Sequence, residues 1–578
     1  MLSITSFLAK VISQTLSRIY PDLGAPKDFV EVAPCARPEL GHYQSNIALK
    51  LAKLLKQPPI SLANTLREHL PLEECAEKIT VTPPGFLNIT CNKSFLSNRL
   101  SQLLSDPKCL VSCAEKKRVI VEFSSPNIAK ELHVGHLRST IIGESLARLF
   151  TFQGHDVLRL NHIGDWGTQF GMLIAYIRAH VTENRWASAP SLEDLMHWYK
   201  KAKALFDEDE HFRKESQLAV VALQQGDTGS IEVWKDICAV SRKAYEEIYS
   251  LLDVSIQERG ESFYNPHLAP MVEELEHRGM IEYSGGAKCI FPQGFKNREG
   301  NPLPFMVQKS DGGFNYDTTD LAALKHRVAV EKADRIIVIT DSGQSLHFQL
   351  LFKAAEKVGY YDPEKVQMDH VTFGLVLGED GKKFKTRSGE TKKLVDLIYK
   401  AIEYASALVG EKSGHLSQEE KRHLAKTLGI SAVKYADLSS QRQKDYTFSY
   451  ARMLRFEGNT ATFLLYAYVR MLGIERKIGK DLPSLLQTKP SLDHPSELAL
   501  GLHLLRFAEV IDLITDNLEP HHLCDYLYKL AEKFHAFFRD CRVEGSDQEE
   551  GRLVLVEAAR KVLAQGLYLL GIDTVERM

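Results

Sequence analysis

Residues 118–136 read RVIVEFSSPNIAKELHVGH. The opening run Arg118–Ser124 is short and rich in β-branched residues, the pattern of a buried strand. Pro126 and Asn127 turn it into a loop. From about His136 the apolar residues Leu137, Ile141, Leu146, Leu149 and Phe150 fall mostly on one face, which predicts a helix with Gly154 as its stop. Val157–Leu160 is then a second strand. Strand, helix and strand in this order build a parallel sheet through a right-handed crossover.

The pattern returns downstream. Arg335–Ile339 reads as a strand, Leu346–Val358 as a helix ending at Gly359, and Val371–Leu377 as another strand. A long helical stretch separates the two halves. The expected central domain is therefore a Rossmann-like, doubly wound parallel sheet over 116–398, with a helical insertion at about 175–300. Ligands belong at the carboxyl ends of such strands. Residues 1–115 read as a smaller α/β domain, with helices around Leu8–Leu16 and Ile47–Leu55 and strands at Lys78–Thr82 and Gly85–Ile89. From 399 to 578 the pattern is nearly all helical, as in Ala461–Ile474, Leu498–Ile514, Leu523–Phe538 and Arg552–Leu570, which predicts a bundle. The fold class is multidomain α/β with a C-terminal all-α bundle.

The 578 residues are 44% hydrophobic and 25% charged, so a disordered, collagenous or coiled-coil chain is excluded. No apolar run reaches the roughly 20 residues of a membrane span. The amphipathic start lacks the regions of a secretory signal. Nine cysteines lie scattered without a C-x-x-C pair, which argues against a disulfide framework or a cysteine zinc site and makes a reducing cytoplasm the simplest home. A formal net charge of −3 leaves any polyanion to local basic patches.

The loop after the first strand carries neither G-x-G-x-x-G nor G-x-x-x-x-G-K-[ST]. Instead His133 and His136 flank Gly135 where strand hands over to helix. Two imidazoles can donate to phosphate oxygens, the helix N-terminus adds its positive end, and a glycine permits close backbone approach. The pattern suits a nucleotide attacked at its α-phosphate. The competing readings are a His-x-x-His metal site, for which no third ligand lies nearby, and two surface histidines.

HVGH resembles the HIGH signature of class I aminoacyl-tRNA synthetases. The longer strings EFSSPNIAKELHVGHLRSTIIG and LNHIGDWGTQFG resemble the arginyl-tRNA synthetase family. So do Tyr316–Asp320, Gln344–His347, Lys383–Gly389, NTATFLLYAYVR and the ending GLYLLGIDTVERM, so the likeness spans essentially the whole chain. It implies an ATP-dependent ligase that forms arginyl-adenylate and passes arginine to the 2′-hydroxyl of the terminal adenosine of tRNA(Arg). Mg2+ would accompany ATP, with no tightly held protein metal. The implied state is a cytoplasmic monomer with no membrane partner, needing bound tRNA before arginine is activated. The alternatives are a class I synthetase for another amino acid and an inactive synthetase-like RNA-binding protein. Intact Lys130, His133, His136 and Asp320 argue against the last.

The resemblance also implies site residues. A guanidinium is planar, always charged and carries five donors, so it calls for carboxylates. Glu122, Asn127, His133, Tyr316, Asp320 and Gln344 match the family's arginine pocket, with Asp320 the natural guanidinium partner. Alone, Tyr316 reads equally as a core aromatic and Asp320 as a helix N-cap. The loop Asn161–Gly167 reads as shaping the pocket floor, with Trp166 packed. For ATP, the implied set is Lys130, His133, Gly135, His136, Lys385, Thr386 and Arg387, with Lys130, His133, His136 and Arg387 catalytic. The KMSKS signature is altered: Phe384 holds its first lysine position and Arg387 its second. Lys130 is the implied substitute, since the leaving pyrophosphate needs a cation. For tRNA, Phe86 and Asn88 match a D-loop contact, while Phe463, Tyr466, Arg470, Phe538 and Met578 match an anticodon-loop contact. Val575 stands where the family ending has proline.

Overall fold

The computed structural model describes residues 2–23, 29–112, 115–181, 186, 190–382, 393–480 and 485–578. Contacts divide the chain into two compact units. One comprises Met1–Ala114, Phe152–Gly154 and Leu454–Met578, and the other Glu115–Thr151 and His155–Met453.

The second unit is built on a five-stranded parallel sheet. Its strands run in the order Gln367–Phe373, Arg335–Asp341, Arg118–Glu122, Asp156–Asn161 and Gln257–Glu258. The sequence that begins the chain's strand–helix–strand unit therefore sits in the middle of the sheet. Val119, Ile120 and Val121 are buried on both faces, as a central parallel strand requires. One face is packed by Leu321 and Leu324 of the helix Tyr316–Ala329 and by Leu351 and Ala354 of Ser345–Lys357, against Ile120, Leu158, Ile336 and Val338.

Several elements differ from the sequence expectation. The first crossover helix starts at Val134 and runs to Gln153, and Gly154 follows at φ 109°, the left-handed backbone its lack of a side chain permits. Val371–Leu377 is not one strand. The sheet strand ends at Phe373, and Val376–Leu377 pairs instead with Tyr446–Thr447. The break is at Gly374, where a Cβ would lie 2.7 Å from the Lys444 carbonyl carbon, so the chain can bend there only without a side chain. The insertion is helical through Thr168–His180, Leu192–Glu208, Glu210–Gln224 and Thr228–Leu251. It then returns to the sheet at Gln257–Glu258, a strand too short to show periodicity, and adds a three-stranded antiparallel sheet over Glu282–Ser284, Ala287–Ile290 and Phe305–Gln308. The helices Leu394–Lys412 and Gln418–Leu438 fall in the sheet unit, so contacts break at 454 rather than at the expected 399.

The first unit holds a four-stranded antiparallel sheet, ordered Val32–Pro34, Tyr43–Ser45, Phe86–Cys91 and Ala76–Thr82, and the C-terminal helices. The expected helix Leu498–Ile514 is two, Pro495–Leu505 and Phe507–Asn517, meeting at Arg506. The eight described cysteines are free thiols, and no described helix is long and apolar enough to cross a membrane.

A buried ion pair ties the sheet unit together. Arg138, fully buried on the first crossover helix, has Nε 3.2 Å from Asp437 Oδ2. Its Nη1 donates to the carbonyls of Gly374 (2.8 Å) and Lys444 (3.1 Å), and its guanidinium lies over the rings of Phe373 and Tyr446. Burial pushes the Asp437 carboxyl pKa up, and the Arg138 charge opposes that push. Removing one partner of such a pair leaves a buried charge unmatched, at about 3–5 kcal/mol. Arg138→Met should lower stability by that order in denaturant unfolding, and Arg138→Met/Asp437→Leu should recover most of it. A single variant as stable as the parent would show that the pair holds nothing.

Candidate active site

The carboxyl edge of the sheet gathers the site. The chain leaves the central strand at Glu122 through a loop with three non-glycine residues in left-handed backbone: Ser124 (φ 69°), Ser125 (φ 46°) and Ala129 (φ 60°). Each such residue costs about 1–3 kcal/mol unless its surroundings hold it. Here they do. Ser124 N donates to Ser139 Oγ (2.9 Å), Ser125 N to Asn161 Oδ1 (2.9 Å) and Ala129 N to Ser241 Oγ (3.0 Å). The Tyr249 hydroxyl meets Ser124 Oγ at 2.8 Å, and the Tyr245 hydroxyl lies 2.8 Å from the Asn127 carbonyl and 2.7 Å from that of Lys130. Ser241, Tyr245 and Tyr249 all come from the insertion helix Thr228–Leu251.

His133 is exposed and His136 half-buried at the helix start, their ring centroids 4.0 Å apart. His133 N donates to His136 Nδ1, and Gly135 N to His133 Nδ1, each at 3.1 Å. A Cβ on Gly135 would fall 2.9 Å from His133 Cε1, so the space this glycine leaves is filled by the His133 ring. Burial, with the nearby His133 and Lys130 charges, pushes the His136 pKa down to about 3. His136 is therefore neutral in the physiological range. Among the described residues these two histidines belong to no cluster that could hold a metal ion; Glu519, His521 and His522 of the other unit form one. Lys130 is exposed, its Nζ 5.9 Å from the Tyr199 ring. Lys393 pairs its backbone with His133 and its ammonium with Glu131 and Glu193 (2.7 and 2.5 Å). Lys385, Thr386 and Arg387, with Phe384, lie outside the described residues.

Gln344 ends a short 3-10 turn after the strand Arg335–Asp341 and is exposed. Asn127 is exposed beside Gly164, where a Cβ would collide with its Oδ1 at 2.1 Å. Glu122 is buried and paired with Arg327 Nη1 at 2.5 Å, so half of its carboxylate is committed inside the protein. Tyr316 is 60% exposed at the start of its helix and is no core residue. Asp320 is not the helix N-cap. Asn315 is, accepting from Thr318 N, because the helix begins one turn earlier than the LAALKHR run suggests. Asp320 instead faces His347 Nε2 at 2.7 Å and His162 Nε2 at 3.3 Å. Burial alone would raise its pKa, but these two imidazoles hold it well below the usual carboxylate range. In the IGDWG loop, buried Asp165 accepts from Ser262 N (2.8 Å) and Oγ (2.6 Å), and the Trp166 ring meets Trp234 edge-on.

Sequence reasoning assigned no role to His162, Asp317, Arg327 and His347. All four stand inside quoted stretches, but the partners of a side chain cannot be read before the helices are placed.

In the other unit, Arg470 lies over the rings of Phe538 (4.7 Å) and Tyr466 (5.8 Å). Tyr466 is 41% and Phe538 36% exposed, whereas Phe537 is core and Phe463 is half-buried against Tyr528 and His535. Phe86 is half-buried, but Asn88 is buried and its amide is spent on Gln44 (2.7 Å) and Thr82 (3.0 Å). Met578 is half-buried at the end of the chain, and Val575 is buried.

Three family models match the chain over most of its length. The family model for the catalytic domain of class I tRNA synthetases (R) matches residues 99–450. The DALR anticodon binding domain matches 464–578, and the arginyl tRNA synthetase N terminal domain matches 6–91. The arginine–tRNA ligase of Protochlamydia amoebophila is 54% identical over 587 residues, covering 100% of both chains, and that of Chlamydia caviae is 49% identical over 577, again covering 100% of both. Among solved structures, arginyl-tRNA synthetase from Plasmodium falciparum superposes with a TM-score of 0.87 at 32% identity over 100% of each chain. The Thermus thermophilus enzyme shares the fold, with a TM-score of 0.81 at 24% identity and 100% coverage of both. A parallel sheet with HVGH at the head of its first crossover helix, and relatives alike from end to end, place this chain in the arginyl-tRNA synthetase family of class I.

Proposed function

We propose that the chain is an ATP-dependent arginine–tRNA ligase. The arginine carboxylate attacks the α-phosphate of ATP, supplied with Mg2+, and pyrophosphate leaves. The 2′-hydroxyl of the terminal adenosine of tRNA(Arg) then takes the arginyl group, and AMP leaves. What supports this reading is HVGH at the head of the helix that follows the central strand, and Asp320 against His162, which follows the neighbouring strand, in a chain of this family. Asp320 holds the guanidinium, with Tyr316 stacking on it and Gln344 and His133 lining the pocket; Glu122 and Asn127 serve the substrate's α-amino and polar groups, Glu122 while paired with Arg327. His133 and His136 donate to phosphate oxygens. Because burial keeps His136 neutral, its contribution is a hydrogen bond rather than a charge. The charge facing the leaving pyrophosphate then falls to Lys130, with Arg387 at the position of the signature's second lysine.

The Tyr466–Arg470–Phe538 stack offers exposed π faces beside a cation, the chemistry that takes unpaired bases of the anticodon loop. Phe463 supports it from behind, and Met578 belongs to the same contact. Phe86 is proposed for a D-loop base, with Asn88 behind it. The enzyme acts as a cytoplasmic monomer in this reading. ATP–pyrophosphate exchange with each amino acid, with and without tRNA, tests it: exchange with arginine alone among the amino acids, dependent on tRNA(Arg), is expected.

Asp320→Ala should raise the KM for arginine ~30-fold or more, since one partner of an enclosed ion pair is worth roughly 2–5 kcal/mol. An unchanged KM in a folded variant sinks the assignment. Lys130→Ala should slow single-turnover adenylate formation by ~10²–10³, with arginine affinity little changed. A rate within about threefold of the parent, under ~0.7 kcal/mol, would put the cation elsewhere. Tyr466→Ala should weaken tRNA binding by ~1–3 kcal/mol in a filter-binding titration, and equal affinity would remove the stack from the interface.

A further inference from the structure

Asp320 faces an imidazole nitrogen at each of its oxygens, and one of the two rings is held twice. His347 Nε2 lies 2.7 Å from Asp320 Oδ2, and His347 Nδ1 lies 3.1 Å from Asp317 Oδ1. A ring with a carboxylate at each nitrogen can donate on both sides only as imidazolium. The groups facing it come from every element packed there. Tyr316, Asp317 and Asp320 lie on one helix, Phe305 on the small sheet, His370 on the edge strand of the large one, and Phe348 beside it. Behind Asp320 stand His162, Glu261 and the Glu122–Arg327 pair. Burial opposes the charge on His347, but the two carboxylates outweigh it and lift its pKa to about 9. The ring is therefore charged at neutral pH.

A substrate guanidinium is a permanent cation, and two cations at one enclosed carboxylate repel each other. We propose that His347 is a proton-coupled positioning residue of the arginine pocket: as imidazolium it occupies Asp320 in place of a guanidinium, and it releases its Nε2 proton to solvent when arginine binds. The inference rests on Asp320 being the guanidinium partner. The neutral ring keeps Nδ1–H on Asp317, which fixes the tautomer. Nε2 then changes from donor to acceptor and faces the guanidinium N–H groups. One residue thus keeps the carboxylate neutralised in the empty pocket and becomes a partner in the filled one. Only the proton moves, from Nε2 to the buffer.

The test is isothermal titration of L-arginine into the full chain saturated with tRNA(Arg), near neutral pH, in two buffers of different ionisation enthalpy. The parent protein should release close to one proton per arginine, and its Kd should fall several-fold per pH unit as pH climbs toward about 9. His347→Asn should still bind arginine, with the release nearly abolished and the pH slope flattened. His162→Asn should keep both. The ligand's own ionisation is common to all three and cancels in the differences. Absence of proton release by the parent, or release that survives in His347→Asn and disappears in His162→Asn, overturns the inference. Should His347→Asn not fold, the parent's proton count and its persistence in His162→Asn decide. Arginine binding equally well to Asp320→Ala would instead overturn the pocket assignment beneath it.

Discussion

A guanidinium shut away from water has to find its partners inside the protein, and Arg138 satisfies this demand by drawing three segments to one point. The helix that begins with HVGH, the chain at Gly374 and the stretch from Asp437 to Tyr446 meet on it. The chain after Leu377 therefore departs from a spot fixed relative to the head of that helix, and Lys393 pairs its backbone with His133. An apolar side chain of similar size could fill the space. It could not bind two carbonyls and a carboxylate whose directions are set, so the pair specifies geometry more than it adds stability.

The central sheet was legible because parallel strands buried on both faces read as continuous β-branched runs, as in Arg118–Glu122 and Arg335–Asp341. Gln257–Glu258 was not, since two residues carry no period and their pairing depends on where the insertion returns. The break after Phe373 hid behind a continuous apolar pattern, Val371 to Leu377, that gives no sign of a close approach by Lys444. The helical division at Arg506 was lost the same way, because two consecutive amphipathic helices share one periodicity. At the site, HVGH identified itself through its glycine and its place between strand and helix. The carboxylate at Asp320 was visible by resemblance. Its two histidine partners were not, because they come from helices and loops about 160 and 30 residues away in sequence and only the fold unites them.

Charge at this edge of the sheet is distributed with some economy. The histidine pair that looks basic in the sequence is neutral at His136, because burial there outweighs everything else. The histidine that looks incidental, His347, is the charged one. Residue type alone would have assigned these the other way round. What decides is whether a carboxylate stands within hydrogen-bond reach when water is removed.

The loop from Ser124 to Ala129 carries one more consequence. Two of its three left-handed residues, Ser124 and Ala129, are held by Tyr249 and Ser241, and Tyr245 holds the carbonyls of Asn127 and Lys130 between and beyond them, all from one face of an insertion helix. The insertion is thus no detachable accessory grafted onto a self-sufficient nucleotide fold. Trimming the chain toward a minimal sheet would remove the buttress from the loop that leads into HVGH, and the strained backbone would relax before any chemistry was lost by name.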